Sequence, residues 1–177
     1  MTGRIFTADH HVYDLPPLLS WNVRHTGTVP CDSWSVTAVY QPEMLTVLRM
    51  AAGFAAIENG MTQLRGIVDE YTVELGSRGM TVTLSGRGYA ARLLDNESRP
   101  VTYEQVTLRE LIRCHAEPYG ISCGAAADLR PTVPYTAGAG ISQWKVISEF
   151  CRTYGGFLPR FAKTGELLAT PEQDRGK

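Results

Sequence analysis

Few side chains in this sequence could do chemistry, and their spacing limits what they can do. The four cysteines, Cys31, Cys114, Cys123 and Cys151, form no C-x-x-C pair, and potential ligands sit side by side only at His10-His11 and Cys114-His115. A metal site needs three or four such ligands brought together. Adjacent residues point to opposite faces of a strand and lie about 100° apart on a helix, so neither dipeptide chelates by itself. The expectation is no metal and no cofactor. A small thiol hydrolase is the sharpest catalytic option, with Cys114 or Cys123 as nucleophile and His115 as base, sulfur and imidazole approaching within about 3.2 Å. However, Cys114 and His115 cannot face each other on one helix, and His115 falls one turn after Leu111 on the apolar stripe. A buried helix histidine and packed thiols at Cys114 and Cys151 are the reading that follows.

The glycines have a similar outcome. Gly86-Arg87-Gly88 and Gly138-Ala139-Gly140 each precede a helical stretch and could present amides to an anion. Both lack the downstream glycine or Lys-Ser/Thr of a nucleotide-binding loop, so strand-to-helix turning accounts for them. Ser85 and Ser142 have no G-x-S-x-G setting, and no carboxylate pair recurs at a glycosidase spacing. No enzyme is expected. A carbohydrate- or peptide-binding module would use Trp21, Trp34 and Tyr40, but alternation places them on an inner strand face, where they read as core.

Composition narrows the classes further. The chain has 177 residues, 44% of them hydrophobic, with 17 Lys+Arg against 18 Asp+Glu and a net charge of −1. That length buries roughly 70% of the unfolded surface, enough for a core without disulfides or metal. Residues 1–88 hold six basic and eight acidic residues, and 89–177 hold eleven and ten. Specific nucleic-acid binding needs clustered cations, and neither half supplies them. Fourteen of the basic residues are Arg, a planar group suited to subunit contacts. No apolar run approaches a membrane span or a secretory signal, so no membrane insertion is expected and the thiols read as reduced.

The elements that must carry these residues fall into two kinds. Period-two alternation in Leu19, Trp21 and Val23, and in Trp34, Val36, Ala38 and Tyr40, predicts two strands with one buried face each. Residues 70–85 predict a hairpin, with Tyr71, Val73 and Leu75 answering Met80, Val82 and Leu84 across a glycine-bounded loop at 76–79. Asn59-Gly60 predicts a tight type I′ turn just upstream, so two hairpins form a meander. A short helix is expected over 44–50, after Pro42. Beyond Gly88 the pattern becomes helical. A stretch over 89–94 is followed by a helix opening at Thr107-Leu108-Arg109-Glu110, which has capping-box spacing and must stop by Pro118. Residues 130–140 read as a loop. Another helix starts near Ile141 and ends in the left-handed Gly155-Gly156, and a last hairpin turns at Lys163-Thr164-Gly165. The fold class expected is α+β and β-rich: an N-terminal antiparallel, β-barrel-like tube domain over 1–88, a small α+β domain over 89–170, and a polar tail or boundary over 171–177.

One block of residues carries a family resemblance. Gly66-Ile67-Val68-Asp69-Glu70-Tyr71, then Gly79-Met80-Thr81-Val82-Thr83-Leu84-Ser85-Gly86-Arg87-Gly88, then Leu93-Leu94-Asp95-Asn96-Glu97 resembles the baseplate hub proteins of contractile phage tails and defective prophages. These include the PBSX-like and Mu-like tail proteins, themselves similar to the hub half of the type VI secretion spike protein. Thr107-Leu108-Arg109-Glu110-Leu111-Ile112, Pro118-Tyr119-Gly120-Ile121 and Trp144-Lys145-Val146-Ile147-Ser148-Glu149-Phe150 resemble the middle domain of that family.

The resemblance implies a structural, non-enzymatic role in the virion tail baseplate, assembled in the bacterial cytoplasm. The full-length protein would be a homotrimer whose two barrel domains per chain present six-fold symmetry to the tail tube and three-fold symmetry to the spike. Other baseplate proteins would be its further partners. The chain stops after the middle domain, so it reads as an N-terminal fragment or a split version. On the hairpin, Glu70, Glu74 and Arg78 are the candidate interface residues, facing a neighbour or the lumen.

Overall fold

In the computed structural model, which describes residues 1–27, 30, 32–77 and 79–172, the chain divides into two units, Met1–Tyr89 and Ala90–Lys177. The first is built on strands. β1 (Thr2–Thr7), β2 (Val12–Asp14), β3 (Leu18–Arg24) and β4 (Ser33–Val39) precede a short helix, α1 (Met44–Arg49), and then come β5 (Ala51–Glu58), β6 (Met61–Gly76) and β7 (Gly79–Gly88). All seven strands form one antiparallel sheet in the order β2-β1-β5-β6-β7-β4-β3. Among the described residues no ladder joins β2 to β3, so hydrogen bonding does not close the sheet into a barrel.

The sheet nevertheless turns on itself, and β6 is where it does so. Its first half pairs with β5 up to Ile67, its second half pairs with β7 from Gly66 onward, and a bulge falls between Val68 and Glu70. A bulge bends a strand and strengthens its twist. At the bend the backbones nearly touch. A Cβ on Gly66 would lie 2.1 Å from the Arg87 carbonyl oxygen, and one on Gly86 would lie 2.0 Å from that of Ile67. Only glycine permits that approach. Across it, Trp34 of β4 stacks on Phe54 of β5 with centroids 3.7 Å apart and donates its indole N–H to the Ile67 carbonyl at 3.1 Å. Ile5, Val36, Met44, Leu64, Val82 and Leu84 complete this core.

Local signals produced the turns. Asn59 and Gly60 have φ of 51° and 76°, the double left-handed geometry of a type I′ turn. The long hairpin stays paired out to Gly76 and Gly79, so its bounding glycines belong to the ladder rather than to a four-residue loop. One strand face departs from expectation. Trp21 and Leu19 are 49% and 57% exposed rather than buried, because β3 is the last strand of the sheet and a register shift falls between Leu18 and Ser20.

The second unit contains α2 (Ala91–Leu94), β8 (Val101–Tyr103), α3 (Leu108–His115), a 3-10 turn (Glu117–Tyr119), β9 (Cys123–Ala126), β10 (Tyr135–Ala137), α4 (Gln143–Gly155), β11 (Arg160–Phe161) and β12 (Leu167–Ala169). β10 pairs with β8, so the segment read as a loop over 130–140 contains a strand. β11 and β12 form the expected hairpin, and β12 also pairs in parallel with β9. Thr107 caps α3 through its hydroxyl, which accepts from the Glu110 N–H, while the Glu110 carboxylate accepts from the Thr107 N–H at 2.9 Å. α4 is capped by Ser142 and ends in left-handed Gly156. Leu108, Leu111, Ile112, Val146, Ile147 and Phe150 bury the facing sides of the two helices. Among the described residues no helix is long and apolar enough to cross a membrane.

Candidate functional site

Alternation on β6 and β7 puts Glu70, Thr72 and Glu74 on the face opposite the core, across from Ser85, Thr83 and Thr81. The rows continue onto β4 and β3. Thr72 and Thr83 align with Thr37 and Ser20, and Glu70 and Ser85 align with Ser35 and Asn22. Facing hydroxyls join the strands: Thr37 and Thr83 are 3.0 Å apart, and Ser85 donates to Glu70 at 3.0 Å. The result is a hydroxyl- and amide-bearing surface whose charge in these rows is carboxylate. Glu70 and Glu74 are exposed on it, and Arg78 lies outside the described residues.

Two features beside this face suit contact with another chain. Beyond Ile67 the outer edge of β6 leaves the β5 ladder, so residues 68–76 pair on one side only. Unpaired strand edges recruit further strands unless blunted by charge. At the tip, Leu75 is 81% exposed and Met80, its partner across the ladder, 43% exposed. At the bend, by contrast, Arg87 is held by Asp69 through two bonds of 2.8 and 2.9 Å, a fork-to-fork pair that fixes the bulge.

The catalytic alternative meets a different geometry. His115 is buried on α3, and both ring nitrogens are engaged: Nδ1 lies 2.6 Å from Gln143 Oε1, and Nε2 lies 2.9 Å from the Tyr103 hydroxyl. Gln143 donates its amide to the Glu97 carbonyl and the Tyr119 hydroxyl, both at 2.9 Å, which fixes its oxygen toward the imidazole. Nδ1 therefore donates to Gln143 Oε1, and Nε2 is engaged by the Tyr103 hydroxyl. Neither nitrogen is left for a thiol. Cys114 is exposed rather than packed, Cys123 is half-buried with its thiol pushed up by burial, and burial pushes Cys151 up to about 12. Cys31 lies outside the described residues. Sequence spacing gave no sign of Gln143, whose role appears only when α3 and α4 pack.

Other expectations also find their places here. Among the described residues no three His, Cys, Asp or Glu side chains converge to hold a metal. Of the three aromatics considered for a binding platform, Trp34 is buried, Tyr40 half-buried and Trp21 exposed.

No protein-family model matches the chain, and no curated protein does. Solved structures do match. A tail protein from Neisseria meningitidis MC58 aligns with a TM-score of 0.73 at 14% identity, covering 99% of this chain and 52% of that one. The 43 kDa tail protein of prophage MuSo2 from Shewanella oneidensis gives 0.71 at 15%, with 96% and 54% covered. An E. coli protein described as a type VI secretion component, structurally similar to T4 bacteriophage tail proteins gp27 and gp5, gives 0.51 at 11%, with 84% and 47% covered. The chain spans about half the length of these structures. Its fold is the α+β, β-rich fold of phage and prophage tail proteins.

Proposed function

We propose that the chain is a structural part of a phage or prophage baseplate hub, without enzymatic activity, in the piece that joins the tail tube to the central spike. The observation that carries this reading is the fold likeness to two tail proteins over nearly the whole chain. In this reading residues 1–88 are the tube-like domain, 89–170 the middle domain and 171–177 a polar tail, and the hub is a trimer in the virion, assembled in the bacterial cytoplasm. The Glu70 and Glu74 face borders the channel. Hydroxyls and carboxylates fill these rows, and in the adjoining row Arg24-Ser33-Arg87 the Arg87 guanidinium is already held by Asp69, so the face offers a passing DNA phosphate little to bind and the duplex slides. The free edge of β6 and the Leu75 tip meet neighbouring chains.

The thiol-hydrolase reading loses support because both nitrogens of His115 are occupied within its own unit. The test of the hub reading is the native mass of the full-length protein, alone and with its neighbouring tail proteins. A trimer that enters tail particles is expected; a protein that stays monomeric and never co-purifies with tails overturns the proposal. Replacing Glu70 and Glu74 by Lys is expected to leave particle assembly intact and slow DNA delivery.

A further inference from the structure

In the second unit, a groove carries more arginine than its own carboxylates engage. Arg109 and Arg113 sit one turn apart on α3, both exposed, and Arg130 joins them from the segment after β9. With Glu117, Ile121 and Cys123 they line a cavity of about 810 Å³. A second depression of about 270 Å³ shares Arg109 and Arg130 with the first and continues past residues 126–129. The two adjoin through Thr107, Arg109 and Arg130 and make an open trough.

Two of the three carboxylates that line these depressions are committed, and the third, Glu117, makes no ion pair with Arg109 or Arg113. Glu110 accepts both the Thr107 N–H and the Thr107 hydroxyl, at 2.9 and 2.8 Å, and these bonds hold its carboxyl below the usual range. Asp128 accepts from Arg130 at 2.7 Å. Among the described residues no carboxylate lies within ion-pair reach of Arg109 or Arg113. Glu110 influences Arg113 only through space. Two planar guanidinium forks are thus left to pair with carboxylates from outside.

Spacing says how those carboxylates are arranged. Residues four apart on a helix rise about 6 Å, and alternate residues of an extended strand are roughly 6.8 Å apart on one side. β9 lies at the edge of its three-stranded sheet and contributes Cys123 and Ala126 to the trough, so one side of its main chain is outside the ladder. We propose that this groove docks an extended acidic segment of a partner protein, with Arg109 and Arg113 reading two carboxylates on alternate residues. A lone phosphate would need one focused cradle instead of two forks a turn apart along a trough. The inference rests on the groove's own chemistry and stands apart from the tail role.

The experiment is fluorescence anisotropy on the full chain with a labelled Gly-Asp-Gly-Asp-Gly peptide and its Asn counterpart. Saturable binding of the Asp peptide is expected, at least tenfold tighter than the Asn peptide and weakening as salt rises. Combining Arg109→Glu with Arg113→Glu removes it by at least tenfold, while Arg24→Glu with Arg49→Glu on the first unit leaves it unchanged. Far-UV circular dichroism checks that each variant folds. Equal affinity for the two peptides, insensitivity to the Arg109 and Arg113 changes, equal loss from the control pair, or full displacement by millimolar inorganic phosphate each overturns the proposal.

Discussion

The first unit is constrained where main chain crosses main chain, whereas the second is constrained where polar side chains meet in its interior. Gly66 and Gly86 let two stretches of main chain pass with no room for a methyl group. Gln143, His115, Tyr103 and Tyr119 instead build a buried polar cluster in which each polar atom finds a partner. The difference concerns what each unit tolerates. A backbone contact cannot rotate away, so a substitution there must move a strand. A hydrogen-bond cluster can lose one member and still leave the helices packed on Leu111, Ile147 and Phe150.

The largest break in this comparison is Gly66→Ala. The added methyl meets the Arg87 carbonyl, and a loss of about 4 kcal/mol or more is expected for the first unit. Urea unfolding followed by Trp34 fluorescence, in a Trp21→Phe and Trp144→Phe background, measures it. If the second unit stands alone, Cys151 stays unreactive in the same variant when alkylation is resolved peptide by peptide. A Gly66→Ala protein within 1 kcal/mol of the parent would show that the crossing relaxes, and the contrast would collapse.

Gln143→Leu comes next, at about 1–3 kcal/mol, because it strands the Nδ1 proton of His115 in the interior and takes the amide donor from the Glu97 carbonyl. Faster alkylation of Cys151 should report it, with the Trp34 signal unchanged. Thr107→Ala costs less, about 1 kcal/mol. Its signature is pH. The Thr107 N–H first and its hydroxyl second hold the Glu110 carboxyl below its usual range, and alanine removes only the hydroxyl's share, which is present above the ordinary glutamate pKa and is lost as pH falls through the lowered folded value. The parent should therefore lose stability over acid pH slightly more steeply than Thr107→Ala, and parallel acid limbs would mean that the hydroxyl adds nothing to the backbone N–H in holding the Glu110 carboxylate. The smallest effect is expected at Glu74→Gln, an exposed position on a ladder that the backbone already holds, within about 0.5 kcal/mol by thermal unfolding. A larger cost there would mean that the polar face is structural.

What could be read in advance was what neighbours in sequence decide. The type I′ turn at Asn59-Gly60, the capping box at Thr107 and Glu110, and the left-handed stop at Gly156 each lie within four residues of their cause. The alternation that sets Glu70 and Glu74 apart from Tyr71 and Val73 was equally plain. Trp21 was misplaced because alternation says which residues share a face and not whether a strand ends the sheet. β8 and β10, three residues each, are too short for a period to register. The His115 cluster and the arginine trough depend on groups 12 to 28 residues apart or on separate elements, and only packing brings them together.

The sixteen residues of β6 also have a mechanical meaning. Extended, they span roughly 50 Å, and the strand is bonded to β5 along one half and to β7 along the other, with both ladders overlapping at Gly66 and Ile67. A pull along this strand loads each ladder in shear, so many hydrogen bonds must yield together; a pull across it would open them one at a time. The strand is a tie-rod through the first unit, and a load applied at the hairpin tip is delivered to β5 and β1 at the other end of the sheet without crossing a loop.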